Sequence, residues 1–143
     1  MNDDVPQEVI DHLSKFSGAQ APEIKAAQDC LIGIGYHSFD LAIYVTNLTE
    51  GKRFGGSKFP VLFDCLIGIS TREEIKCIED KLGIALFPLG TALDLEIYVG
   101  SDSAVYLIDV EVEMYFKLKK GIYGIIDLIN GQIAPKIKLK AIL

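Results

Sequence analysis

The residues with the clearest chemical potential are two histidines, His12 and His37, and three cysteines, Cys30, Cys65 and Cys77. Histidines at helical i,i+4 spacing, or cysteines at short intervals, would make a metal site. Neither histidine has such a neighbour, and the cysteines stand 35 and 12 residues apart. A thiol becomes a nucleophile when a histidine or a helix N-terminus holds it as thiolate. None of these cysteines follows a glycine-rich turn at a helix start, and all three are expected to be small buried apolar residues. The run "TEGKRFGGSK" has the composition of a phosphate loop but not its order: Gly55-Gly56-Ser57-Lys58 leads into "FPVLFDCLIGI", which reads as a strand, where a phosphate loop opens a helix. Gly33-Ile34-Gly35 lacks the third glycine of a dinucleotide fingerprint and ends a helix. There is no Gly-x-Ser-x-Gly elbow. The expectation is a protein that is not an enzyme, with no catalytic, cofactor or metal residues.

One constellation stands out. Residues 94–113 hold six acids, Asp94, Glu96, Asp102, Asp109, Glu111 and Glu113, and no lysine or arginine. In "LDLEIYV" Asp94, Glu96 and Tyr98 alternate with Leu93, Leu95, Ile97 and Val99. In "EVEMYFKL" Glu111, Glu113 and Tyr115 alternate with Val112, Met114, Phe116 and Leu118. If both strands turn their polar sides outward, Asp94, Glu96, Tyr98, Asp102, Glu111, Glu113 and Tyr115 form an acidic face with embedded tyrosines. Tyrosine is a frequent interface anchor and acids complement a basic partner. An ordinary solvated sheet face is the alternative.

The elements that must position this face follow from periodicity. "PQEVIDHLSKF" reads as a helix with Val9, Leu13 and Phe16 on one stripe, Pro6 in the first turn and Ser17-Gly18 at the end. A second helix opens at Pro22, with Ile24, Ala27, Leu31 and Ile34 at helical spacing and Gly35 as C-cap. "FDLAIYVTNL", capped by Ser38, is read as a helix, with a strand as the alternative. "STREEIKCIEDKLG" carries capping-box pairs Ser70/Glu73 and Thr71/Glu74, buries Ile75, Ile78 and Leu82, exposes Glu79-Asp80 and ends at Gly83. Ile84–Phe87 is a short strand, stopped by Pro88 and turned by Gly90. "LDLEIYV", "AVYLIDV" and "EVEMYFKL" form an antiparallel meander, the second covered on both faces. "KGIYGIIDLIN" reads as a short helix from about Ile122 to Asn130, with a strand as the alternative, and the lysine-alternating tail "PKIKLKAIL" suits an edge strand. Strands do not alternate regularly with helices. The fold class is therefore α+β, a single domain with helices packed on one face of a mostly antiparallel sheet.

Composition narrows the function classes. At 143 residues, half of them hydrophobic, the chain can bury a core without disulfides or metals. No apolar run reaches the roughly 18 residues of a membrane span. The start "MNDDVPQEV" lacks an apolar signal core, which predicts a cytoplasmic protein away from membranes. Residues 1–116 carry 19 acids against 8 bases, a net of −11, while residues 117–143 carry a net of +5. An acidic body repels phosphate, so direct nucleic acid binding is not expected.

The punctuation resembles the SUKH superfamily, small α+β proteins that include the Smi/Knr cell-wall regulators, Syd and bacterial immunity proteins. The residues that carry the resemblance are Gly55-Gly56 through "KFPVLFD", the helix end "EDKLG", "ALFPLGTA", "LDLEIYV" and "GSDSAVYLID", with "CLIGIGYHSFDLAIYVTNLTEGKRFGG" upstream. It covers about residues 8–110 and is closest to the third SUKH subfamily, immunity proteins of polymorphic toxin systems. The resemblance implies a protein that binds and neutralises a cognate toxin domain, of nuclease type, by occluding its active or substrate-binding surface. A regulatory interaction module of the Smi/Knr or Syd kind, without a toxin, is the alternative. Weak homodimerisation is left open.

Overall fold

The computed structural model describes Gln7, Asp11, Leu13 and residues 18–54, 59–130 and 138–142. His12, most of the first expected helix, the Gly55-Gly56-Ser57-Lys58 run and residues 131–137 lie outside the described residues. Gln7, Asp11 and Leu13 are helical. Leu13 is buried, and its carbonyl accepts from Lys52 Nζ at 2.7 Å.

The elements, in chain order, are α1 (Ala21–Gly33), α2 (Asp40–Thr49), β1 (Arg53–Phe54), β2 (Val61–Leu62), α3 (Arg72–Leu82), β3 (Leu86–Ala92), β4 (Leu95–Gly100), β5 (Ala104–Asp109), β6 (Met114–Lys120), α4 (Gly121–Ile129) and β7 (Lys140–Ala141). The strands form one sheet in the order of the chain, and every neighbouring pair is antiparallel. This is the expected α+β class.

Local signals explain the helix ends. At the end of α1, Gly35 N–H donates to the Ile32 carbonyl and Tyr36 N–H to the Leu31 carbonyl, with Gly35 at φ 115°. That is the Schellman arrangement, which needs a residue at ease with positive φ. Thr71 and Glu74 cap α3 reciprocally, and Gly83 closes it in the left-handed region. Of the two expected capping pairs, Ser70/Glu73 is not used. Segment 40–49 is helical as read, but Phe39 occupies the N-cap position, not Ser38.

Three strand readings change. "FPVLFDCLIGI" is a strand only at Val61–Leu62, and Arg53–Phe54 of the supposed glycine-rich loop pairs with it. β3 does not stop at Phe87: it continues through Pro88 and Gly90, with a bulge between them. On β3, β2 pairs with Thr91 and Ala92, so among the described residues Pro88 has no partner strand on that side. A residue without an N–H is tolerated there. The tail does supply an edge strand, β7, opposite Met114 and Tyr115.

The core lies at the middle of the meander. Ile97, Val99, Val105 and Leu107 share one face, and Tyr98, Tyr106 and Ile108 the other. All seven are buried. A Cβ on Gly124 would meet the Val105 side chain at 3.1 Å, so α4 lies close against the first face. Ser70, in the loop before α3, binds Glu96 on the second face, while from α3 itself Glu79 accepts from the Leu86 N–H of β3 and Lys81 pairs with Glu113 in the β5–β6 turn. Glu79, expected on the exposed side of α3, is buried and also pairs with Arg72 at 2.8 Å. Cys65 is buried as expected, whereas Cys30 and Cys77 are exposed. Burial pushes the Cys65 thiol well above its ordinary range, the opposite of nucleophile activation.

Candidate protein-binding surface

Pairing of β4 with β5 and of β5 with β6 puts Glu96, Ile108 and Tyr115 in one row, and Tyr98, Tyr106 and Lys117 in the next. Glu96, Tyr98 and Tyr115 therefore share a face, as their alternation implies. That face is nevertheless not an open acidic plate. Tyr98 is 0% exposed. Its hydroxyl donates to Glu96 Oε1 at 2.6 Å. The same carboxylate accepts from Ser70 N–H at 2.8 Å and from Ser70 Oγ at 2.6 Å. The loop before α3 folds over the sheet and consumes Glu96. A strand's period of two says which residues share a face, but not what covers it.

Beside this network the Arg72 guanidinium lies 4.6 Å from the centre of the Tyr36 ring while pairing with Glu79. The Tyr36 hydroxyl is buried beside that of Tyr98, and Arg72 Nη1 is buried without a hydrogen-bond partner. Burial, helped by the nearby Glu96 and Glu79 carboxylates and opposed by Arg72, pushes Tyr36 up to about 12. Burial and then Glu96 raise Tyr98 further. These phenols stay protonated and the cluster locks α3 to the sheet. Among the described residues, no group of three or more His, Cys, Asp or Glu side chains is placed to hold a metal ion.

Asp102 and Tyr115 belong to a second cluster. Tyr106 Oη donates to Asp102 Oδ2 at 2.5 Å, Lys117 Nζ stands 3.3 Å from the same oxygen, and the Tyr106 and Tyr115 rings lie 6.1 Å apart. Partial burial pulls the Asp102 carboxyl up. Bonds from Tyr106, the Ala104 N–H and Lys117 outweigh it and hold the carboxyl below its ordinary value. Asp102 is thus neutralised within the chain.

The remaining predicted residues, Asp94, Glu111 and Glu113, meet at one end of the sheet. Leu93-Asp94 is the two-residue turn joining β3 to β4, and residues 110–113 join β5 to β6. Glu96 pairs with Ile108 in antiparallel register, so Asp94 and Val110 lie at the same sheet end. Asp94 and Glu111 are exposed. Glu113, at φ 52°, forms an ion pair with Lys81. Alongside runs a groove of about 310 Å³, lined by Glu74, Cys77, Ile78 and Lys81 of α3 and by Val110 and Glu113. Asp94, Asp109, Glu111 and Glu113 lie in or beside the turns at this end and Glu74 lines the groove; Lys81 lines it too, and Lys140 stands across from Tyr115 on β7. The exposed lysines of β6, Lys117, Lys119 and Lys120, lie further along the strand.

Two residues of this end escaped the alternation pattern. Leu93 and Val112, assigned inward with Leu95 and Met114, are 49% and 59% exposed. Leu93 adopts φ 54°. Left-handed backbone costs a non-glycine residue roughly 1–2 kcal/mol, and leucine has no polar group to offset it. Glycine or asparagine is the usual occupant of such a two-residue turn. "ALDL" carries neither, so nothing in the sequence marked the turn. Among the described residues no helix is long and apolar enough to cross a membrane. The chain matches no family model, no curated protein and no solved structure.

Proposed function

We propose that this protein is a non-catalytic inhibitor that binds a cognate toxin domain of nuclease type and blocks the surface that domain uses for its substrate. The observation that carries the reading is the exposure of Asp94 and Glu111 in two turns at one end of the sheet, with Asp109 beside them and Glu113 and Glu74 along the adjoining groove. A nuclease must present positive charge to hold phosphate. An acidic surface competes for that same charge and speeds encounter with it. The lysines of β6 lie away from this end, so the charge is polarised and orients an approaching basic partner. The resemblance to SUKH immunity proteins points the same way.

The test is co-expression with the toxin domain encoded immediately upstream, followed by isolation of a one-to-one complex. Protection and a complex are expected. Asp94→Lys together with Glu111→Lys should slow association roughly tenfold at low salt and flatten its salt dependence. No protection and no complex, or no toxin gene beside this one, would leave a regulatory interaction module as the better reading.

A further inference from the structure

We infer that Leu93 and Val112 are the apolar anchors of this acidic surface, inserted into a depression on a basic protein partner. The inference rests on the proposed function and adds where the binding energy is concentrated. Both side chains occupy turns that close neighbouring hairpins, β3–β4 and β5–β6. β4 and β5 pair directly between them. The two turns are therefore about two strand spacings, roughly 10 Å, apart. Leu93 is followed by exposed Asp94, and Val112 is preceded by exposed Glu111. The chain thus builds two apolar points with an acid beside each, the apolar-centre and charged-rim pattern of a protein interface.

Folding alone gives no reason for leucine at position 93. Its backbone is left-handed and its side chain is half exposed. Glycine would relieve backbone strain that roughly offsets the loss of the half-buried side chain. Such an outlier points to a role outside the chain. Exposed Leu66 and Ile67 lie in the loop that leads to Gly68, where an added Cβ would fall 2.8 Å from the Thr91 methyl on β3. Charge selects the occupant. A second copy would set acid against acid, which is repulsive. Nucleic acid and anionic membrane are repelled for the same reason. A protein surface with lysine or arginine around an apolar depression is complementary.

The test uses the upstream toxin domain, catalytically inactivated, as the probe, with Leu93→Gly, Leu93→Asn and Val112→Ser in the full chain. Leu93→Gly should leave the denaturation midpoint unchanged or raise it. All three should weaken binding, with Leu93→Gly about thirtyfold or more, as for an interface hot spot. The loss should lie in the dissociation rate, whereas charge reversal at Asp94 and Glu111 moves the association rate. If wild type binds and the three variants bind within about threefold of it, the anchors are wrong while the proposed function stands. A lowered midpoint for both Leu93 variants would make Leu93 a folding residue and overturn its role. Absence of binding by wild type overturns the proposed function and the anchors with it.

Discussion

Glu96→Ala separates the covered sheet from the open acidic face more sharply than any other change. On an open face, removing one acid from a crowd of acids is nearly neutral, within about 0.5 kcal/mol. In the folded protein the Glu96 carboxylate holds Ser70 N–H, Ser70 Oγ and Tyr98 Oη at 2.6 to 2.8 Å. Alanine orphans the hydroxyl of a fully buried tyrosine and the Ser70 amide, while the Ser70 hydroxyl can turn to water. Each orphaned buried donor costs about 1–3 kcal/mol. Relief from holding a partly buried carboxylate offsets some of this, which leaves a net loss of about 2–4 kcal/mol. With a urea m-value near 2 kcal/mol/M, the midpoint falls by roughly 1–2 M. Glu96→Gln keeps an acceptor and should cost about 1 kcal/mol, the charge-assisted part of the bonds. Asp94→Ala, exposed in its turn, is the control and should stay within about 0.5 kcal/mol. Equilibrium urea denaturation of the four proteins decides the matter. A Glu96→Ala midpoint equal to that of Asp94→Ala would refute the network and return Glu96 to the surface.

Two further outcomes follow from the structure. A Cβ on Gly90 would fall on the Leu62 carbonyl oxygen and within 2.8 Å of Phe63 Cα and 3.0 Å of Asp64 N, all of them backbone. Gly90→Ala must therefore push β2 off β3 and cost about 3 kcal/mol or more, whereas Gly33→Ala, with nothing within 4 Å of its Cβ, should be neutral or stabilising; equal denaturation midpoints for the two variants would be the contrary result. Tyr36 is raised to about 12, and Tyr98 and Tyr106 are raised as well, burial first in each case. A raised folded value means their contribution is full below the unfolded value of 10.0 and is lost as pH climbs from there through the folded values. Stability should fall by about 1.4 kcal/mol per pH unit for each such tyrosine, and absorbance titration should show part of the six tyrosines ionising only on unfolding. All six titrating together near pH 10 in the folded chain would contradict this.

Much of the architecture was legible because its signals are local. Gly35 and Gly83 mark helix ends, since few residues other than glycine take the left-handed backbone cheaply. The Thr71/Glu74 pair marks the start of α3, and the apolar run "AVYLIDV" marks a strand buried on both faces. Alternation placed Glu96, Tyr98 and Tyr115 on one face. Sequence did not show that β3 runs on through Pro88, because the missing partner strand at that point is a property of the sheet. Nor could it show that Glu79 is buried, because its partners, Arg72 and the Leu86 N–H, come together only when α3 docks.

The fate of the acidic residues divides along the same line. The sequence by itself determined that the chain is acidic over most of its length, that its acids crowd into residues 94–113, and that they lie in an antiparallel meander. Composition and a period of two suffice for that. Only the tertiary structure decided which acids face water. The loop before α3 takes Glu96, while Tyr106 and Lys117 take Asp102 and Lys81 takes Glu113. Asp94 and Glu111 are left exposed beside Leu93 and Val112. The physical reason is that a side chain's freedom depends on groups distant in the chain, and strand periodicity carries no information about them.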